Sequence, residues 1–179
     1  MPGIHATSLS VNLTGGCNAQ CPYCIASATW KTGCKDNSHI QARLPAALKY
    51  AAFHNVDTVL ITGSGEPLLP KNMGLVLGIL DGAWGTGIPV TEVQTNGQTL
   101  AESADVRASL LRSHLNTIAI SVSSPDPKRS AEMVGLNFDY LELAKKLSEN
   151  FMIRISLNLT NAECLPLLNG GFVSMVSPS

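Results

Sequence analysis

A chain of 179 residues with 45% apolar and 14% charged residues has the size of one domain and the composition of a packed scaffold, which excludes a disordered or fibrous protein. Its formal net charge of −1 supplies no field that would gather a nucleic-acid backbone or an anionic bilayer. No apolar run approaches the roughly 20 residues that span a bilayer, and the N-terminus has neither region of a signal peptide, so the expected location is the cytoplasm.

The first strand is predicted at Leu9–Thr14, a run of branched and hydroxyl side chains of the kind that strands favour. It runs into Gly15-Gly16-Cys17-Asn18-Ala19-Gln20-Cys21-Pro22-Tyr23-Cys24. Two glycines let the backbone turn tightly, and a Cys-x3-Cys-x2-Cys spacing brings three soft thiolate ligands close together, which is ligand spacing and not a disulfide framework. Trp30–Ser38 is polar and without period, as a functional loop would be. Helical spacing follows at Ala42–Phe53, and a second strand at Thr58–Thr62. That strand ends in Gly63-Ser64-Gly65-Glu66-Pro67, a glycine-rich turn that lacks the Gly-Lys-Ser/Thr of a phosphate loop.

A helix is expected at Lys71–Leu80, a third strand at Val90–Thr95 ending in Asn96-Gly97, and a helix at Leu100–Leu111. The Asn-Gly pair fits a structural turn as well as a ligand contact. In the fourth strand, Thr117–Val122, alternation puts Ala119, Ser121 and Ser123 on one face. A last helix is expected at Tyr140–Leu147 and a fifth strand at Met152–Leu159, where Arg154, Ser156 and Asn158 share a face. Strand and helix alternate throughout, which predicts a parallel α/β sheet or partial barrel of about five to six strands. In such a barrel the loops after the strands build the site.

A four-iron cluster usually takes four cysteines, so three leave one iron open for catalysis. The bland alternative is a closed zinc site that recruits Cys34, His39 or His54 as a fourth ligand, though no second Cys-x2-Cys knuckle exists. Cys34 and Cys164 read as small buried hydrophobes. The histidines His5, His39, His54 and His114 are scattered and are given no catalytic role.

Cys-x3-Cys-x-aromatic-Cys after a first strand, with Gly63–Pro67 after the second and Thr95-Asn96-Gly97 after the third, resembles the radical S-adenosylmethionine (radical SAM) superfamily over roughly residues 8 to 160. The resemblance implies that Cys17, Cys21 and Cys24 bind a [4Fe-4S] cluster whose open iron chelates S-adenosylmethionine. One electron then breaks a carbon–sulfur bond and yields methionine and a 5′-deoxyadenosyl radical that abstracts hydrogen from a substrate. It also implies that Gly63, Ser64, Gly65 and Glu66 receive the amino group of S-adenosylmethionine, with Ser64 standing where the family has a glycine. By the same resemblance Tyr23 lies by the adenine, while Asn96, Ser121, Ser123 and Asn158 supply further contacts to S-adenosylmethionine. A reductant such as a flavodoxin or ferredoxin is implied; the substrate is not. The alternatives are a glycyl-radical activating enzyme and a metal-binding or electron-transfer domain without catalysis.

Two further expectations concern the barrel itself. Glu92 and Arg154 fall in the same inward layer, counted down from the strand ends, which predicts a buried ion pair. With residues 1–170 taken as the core and 171–179 as a tail, the strand count is five, and Phe172–Val176 is the one candidate for a sixth strand, reached past Pro166. Without it the fifth strand is an open edge, which a dimer or partner chain covers or which belongs to a truncated enzyme.

Overall fold

The structure is a computed structural model that describes residues 7–24, 26 and 36–158. Among the described residues five strands form one parallel sheet in the order of the chain: β1 (Ser8–Leu13), β2 (Thr58–Gly63), β3 (Val90–Thr95), β4 (Thr117–Val122) and β5 (Met152–Leu157). Each crossover moves one place in the same direction, and right-handed crossovers then put every helix on the same face. That is the winding of a barrel segment, as alternation predicts. Cys34 and Cys164, the proposed sixth strand at 172–176 and the tail lie outside the described residues, as does most of the Trp30–Ser38 loop.

The helix-covered face carries the core. Val11 and Leu13, Val59 and Ile61, Val93, and Ile118, Ile120 and Val122 are buried in one cluster with Leu48, Val76, Ile79, Leu80, Leu110, Leu143 and Leu147 from the helices. Alternation sends the other set to the opposite face, where Ser10, Asn12 and Ser121 stay exposed and Thr62 and Gln94 half-buried. One face of the sheet is therefore left polar and open at the ends of the strands.

The helices are α1 (Ser38–Phe53), α2 (Met73–Gly85), α3 (Gln98–Glu102), α4 (Ala104–Leu111), α5 (Pro127–Val134) and α6 (Tyr140–Leu147). The single helix expected at Leu100–Leu111 is broken, because Ser103 is extended (φ −105°, ψ 109°) and its side chain accepts the Val106 N–H as an N-cap. Similarly, the run expected to start at Lys71 opens as a 3-10 turn, Pro70–Asn72. Helix α5 was not foreseen, although its signals are present. Asp126 caps the Arg129 N–H at 2.8 Å, Pro127 opens the first turn, and Gly135 ends it at φ 66°.

The Glu92–Arg154 pair forms, but not as a buried one. The Arg154 guanidinium donates to Glu92 Oε1 across β4, with the Arg154 side chain 50% and the Glu92 side chain 15% exposed. Ala119, in register with Arg154, lies beneath the bridge and is fully covered. The pair lies across the lower part of the polar face, and half of the Arg154 side chain is exposed.

Candidate cofactor site

The cysteine loop leaves β1 through Gly15 and Gly16, both at positive φ (120° and 96°), a region that side chains disfavour. It then docks backbone to backbone on the turn after β2. Ser64 N–H donates to Leu13 O at 3.1 Å and Glu66 N–H to Gly16 O at 2.9 Å. A Cβ on Gly63 would stand 2.5 Å from Leu13 O, and one on Gly65 would stand 2.0 Å from Gly16 O. Those two positions have no room for a side chain, whereas Ser64 between them opens into the cleft. Lys71 adds a clamp by donating to Gly15 O.

Glu66 locks the two loops to a third. Its carboxylate accepts Leu68 N–H at 2.9 Å, Thr95 Oγ1–H at 2.7 Å and Asn96 N–H at 2.8 Å, while the residue is 2% exposed. Burial pushes the carboxyl above the usual carboxylate range, and the bonds from Asn96, Thr95 and Leu68 oppose that shift. With its oxygens turned to the scaffold, the side chain of Glu66 holds the site together, and it is the backbone of the turn that faces outward.

At the other side of the cleft, Tyr23 reaches from the cysteine loop to the end of β4, where its hydroxyl bonds Ser123 Oγ, and it also interacts with Asn158 after β5. The loop thus spans from β1 to the far strands. All twelve residues singled out from the sequence line one cleft of about 700 Å³: Cys17, Cys21, Tyr23, Cys24, Gly63, Ser64, Gly65, Glu66, Asn96, Ser121, Ser123 and Asn158. Four polar residues given no site role from the sequence join them, namely Thr62, Gln94, Thr95 and Ser156. Alternation already sets Ser156 on the face of Arg154 and Asn158, and it puts Gln94 on that of Asn96. Thr62 Oγ1 donates to Gln94 Oε1 at 2.9 Å, which ties β2 to β3.

The three thiols are close enough to feel one another. Burial raises the Cys21 pKa, and the nearby Cys17 and Cys24 raise it further; burial likewise raises that of Cys17. Among the described residues no three His, Cys, Asp or Glu side chains converge on the position of a single ion. A tetrahedral zinc at about 2.3 Å from each sulfur draws its thiolates to within about 4 Å of one another. A four-iron cluster is larger and takes one thiolate per iron, and three soft thiolates on one loop beside a cleft are a donor set of that kind. Among the described residues no histidine lines the cleft. His54 packs on Tyr50 and Phe53 at the far end of α1, His114 stacks on Trp84 at 4.5 Å, and His39, in the first turn of α1, is not in the cleft lining.

A parallel sheet wound in one direction, with a cysteine-rich first loop and a glycine turn after the second strand, defines the class of protein. The chain belongs to the radical SAM superfamily, whose sequence profile matches residues 11–162. It is 30% identical over 155 residues to the molybdenum cofactor biosynthesis protein moc-5 of Caenorhabditis elegans, a match covering 86% of this chain and 25% of that protein. It is 33% identical over 128 residues to a GTP 3′,8-cyclase of Synechococcus sp. (strain CC9902), covering 72% of this chain and 35% of that one. The fold is similar to that of Streptococcus suis SuiB bound to S-adenosylmethionine, with a TM-score of 0.67 at 22% identity over 91% of this chain and 37% of SuiB. The chain therefore spans about a quarter to two-fifths of the length of these proteins.

Proposed function

We propose that the chain is the core of a radical SAM enzyme in which Cys17, Cys21 and Cys24 hold a [4Fe-4S] cluster and the cleft beside them binds S-adenosylmethionine. The observation that carries this reading is the meeting of three thiols, on the loop after β1, with the ends of β2, β3, β4 and β5 around one cleft. When bound, the cluster supplies the electron that cleaves S-adenosylmethionine to methionine and a 5′-deoxyadenosyl radical able to abstract hydrogen from a substrate.

The protein's part is to bind, orient and exclude water. The backbone of Gly63–Glu66, kept bare by two glycines, offers carbonyls to an ammonium group. Ser121, Ser123 and Asn158 offer hydroxyl and amide groups to ribose and carboxylate oxygens, and Tyr23 walls the adenine side while its hydroxyl ties the loop to β4. Thr62, Gln94 and Ser156 lie one layer below, where a substrate within reach of the radical would sit. GTP is the first substrate to offer, on the strength of the cyclase relative. A flavodoxin or ferredoxin would deliver the electron, and a second copy or a partner chain would cover the side of β5 away from β4. No helix among the described residues is long and apolar enough to cross a membrane, and we place the enzyme in the cytoplasm.

Anaerobic protein loaded with iron and sulfide, given S-adenosylmethionine and dithionite, should release 5′-deoxyadenosine. Alanine at any of Cys17, Cys21 or Cys24 should abolish that release. Undiminished release by all three variants would remove these cysteines from the mechanism.

A further inference from the structure

We propose that Asn96 is a positioning residue for the first cysteine: its side-chain amide donates to the Cys17 sulfur, holding that thiolate and raising the reduction potential of the cluster. This rests on the cluster reading above. Asn96 stands just past the end of β3, and two anchors fix it. Its backbone N–H is held by Glu66 Oε2 at 2.8 Å, and its side-chain Oδ1 accepts Gln98 N–H at 3.0 Å. The second anchor settles which way the amide faces, because a flipped amide would set an NH2 against the Gln98 N–H, donor against donor. The NH2 group therefore points across the cleft to the cysteine loop, with Nδ2 2.7 Å from Asn18 Oδ1 and 3.6 Å from Cys17 Sγ. Two hydrogens serve two acceptors. The Ala19 N–H reaches the same sulfur at 3.4 Å, so Cys17 is gripped from its own loop and from β3.

An N–H dipole aimed at a ligating sulfur stabilises negative charge there, and reduction of the cluster adds negative charge. Such a bond therefore favours the reduced state and raises the potential, while also slowing departure of the thiolate. Sequence alone left the Asn-Gly pair divided between turn and ligand contact. The geometry gives the side chain a third task, turned toward the protein's own sulfur.

Asn96→Asp and Asn96→Ser both keep an oxygen for the Gln98 N–H and lose the N–H donor. Each variant is checked for folding by thermal unfolding, reconstituted, and compared with wild type in a redox titration followed by electron paramagnetic resonance, and in iron loss to a chelator. The expected result is a lower potential in both, lower still for Asn96→Asp because it adds a charge, with faster iron loss. A folded variant that takes up no iron also supports the holding role. If Asn96→Asp does not fold, Asn96→Ser decides. Wild-type potential together with wild-type iron retention overturns the proposal. Failure of the wild-type protein to take up iron at all overturns the cluster reading instead, and this inference with it.

Discussion

Glu66 shows how a residue can stand in a family motif and yet serve the scaffold. Its folded-state pKa is raised above the unfolded value because burial disfavours the charge, so the native state holds the proton more tightly. The stability this carries is complete below the unfolded pKa and is lost as pH rises through the folded one. The unfolding free energy of wild type minus that of Glu66→Gln should therefore fall as pH is raised from about 4 through neutrality, measured by urea unfolding. A difference that grows with pH would contradict it. Arg154 makes a second residue-scale case. Alternation correctly set it opposite Glu92, but could not tell how much solvent reaches the pair, since that depends on what stands beyond β5. With its side chain half exposed, Arg154→Met should cost about 1 kcal/mol or less, not the roughly 3–5 kcal/mol of a buried pair. Urea unfolding of the variant checks this, and a loss in the upper range would mean the pair is covered.

At the scale of elements, the fit of two turns decides the site. The turn after β2 meets the cysteine loop at Gly63 and Gly65 with no space for a Cβ, so Gly65→Ala must push the loops apart. That overpacking should cost about 1–3 kcal/mol, and the same displacement should loosen the cysteines, so the variant should retain less iron after reconstitution. Unchanged unfolding and unchanged iron would show that the loops do not dock as described. The five strands and their polar face were legible in the sequence because alternation and β-branched runs are local signals. The break at Ser103 and the short α5 were not, because the break rests on one capping serine and α5 carries few apolar residues, Ala131, Met133 and Val134, to mark a period. Both caps, Asp126 and Gly135, were nonetheless written in the chain.

For the whole molecule, the open question is the side of β5 away from β4. The amides of Met152 and Asn158 donate toward β4, and alternation along a parallel strand then turns those of Ile153, Ile155 and Leu157 away from it. In a proven monomer, hydrogen exchange at these three should be faster than at Arg154 and Ser156. Equal protection would mean that the free side is already paired. The candidate site was legible in the sequence to the extent that each part sits at a strand end, where a barrel collects its functional residues. The grip of Asn96 on Cys17 was not, because it depends on how neighbouring loops meet. The proposed chemistry depends on three cysteines holding a cluster open to S-adenosylmethionine. The most direct test is electron paramagnetic resonance of the reduced, anaerobically reconstituted protein with and without S-adenosylmethionine, alongside metal analysis. The prediction is about four irons per chain and a cluster signal that changes when S-adenosylmethionine is added; one zinc with no iron, or a cluster signal indifferent to S-adenosylmethionine, would contradict it.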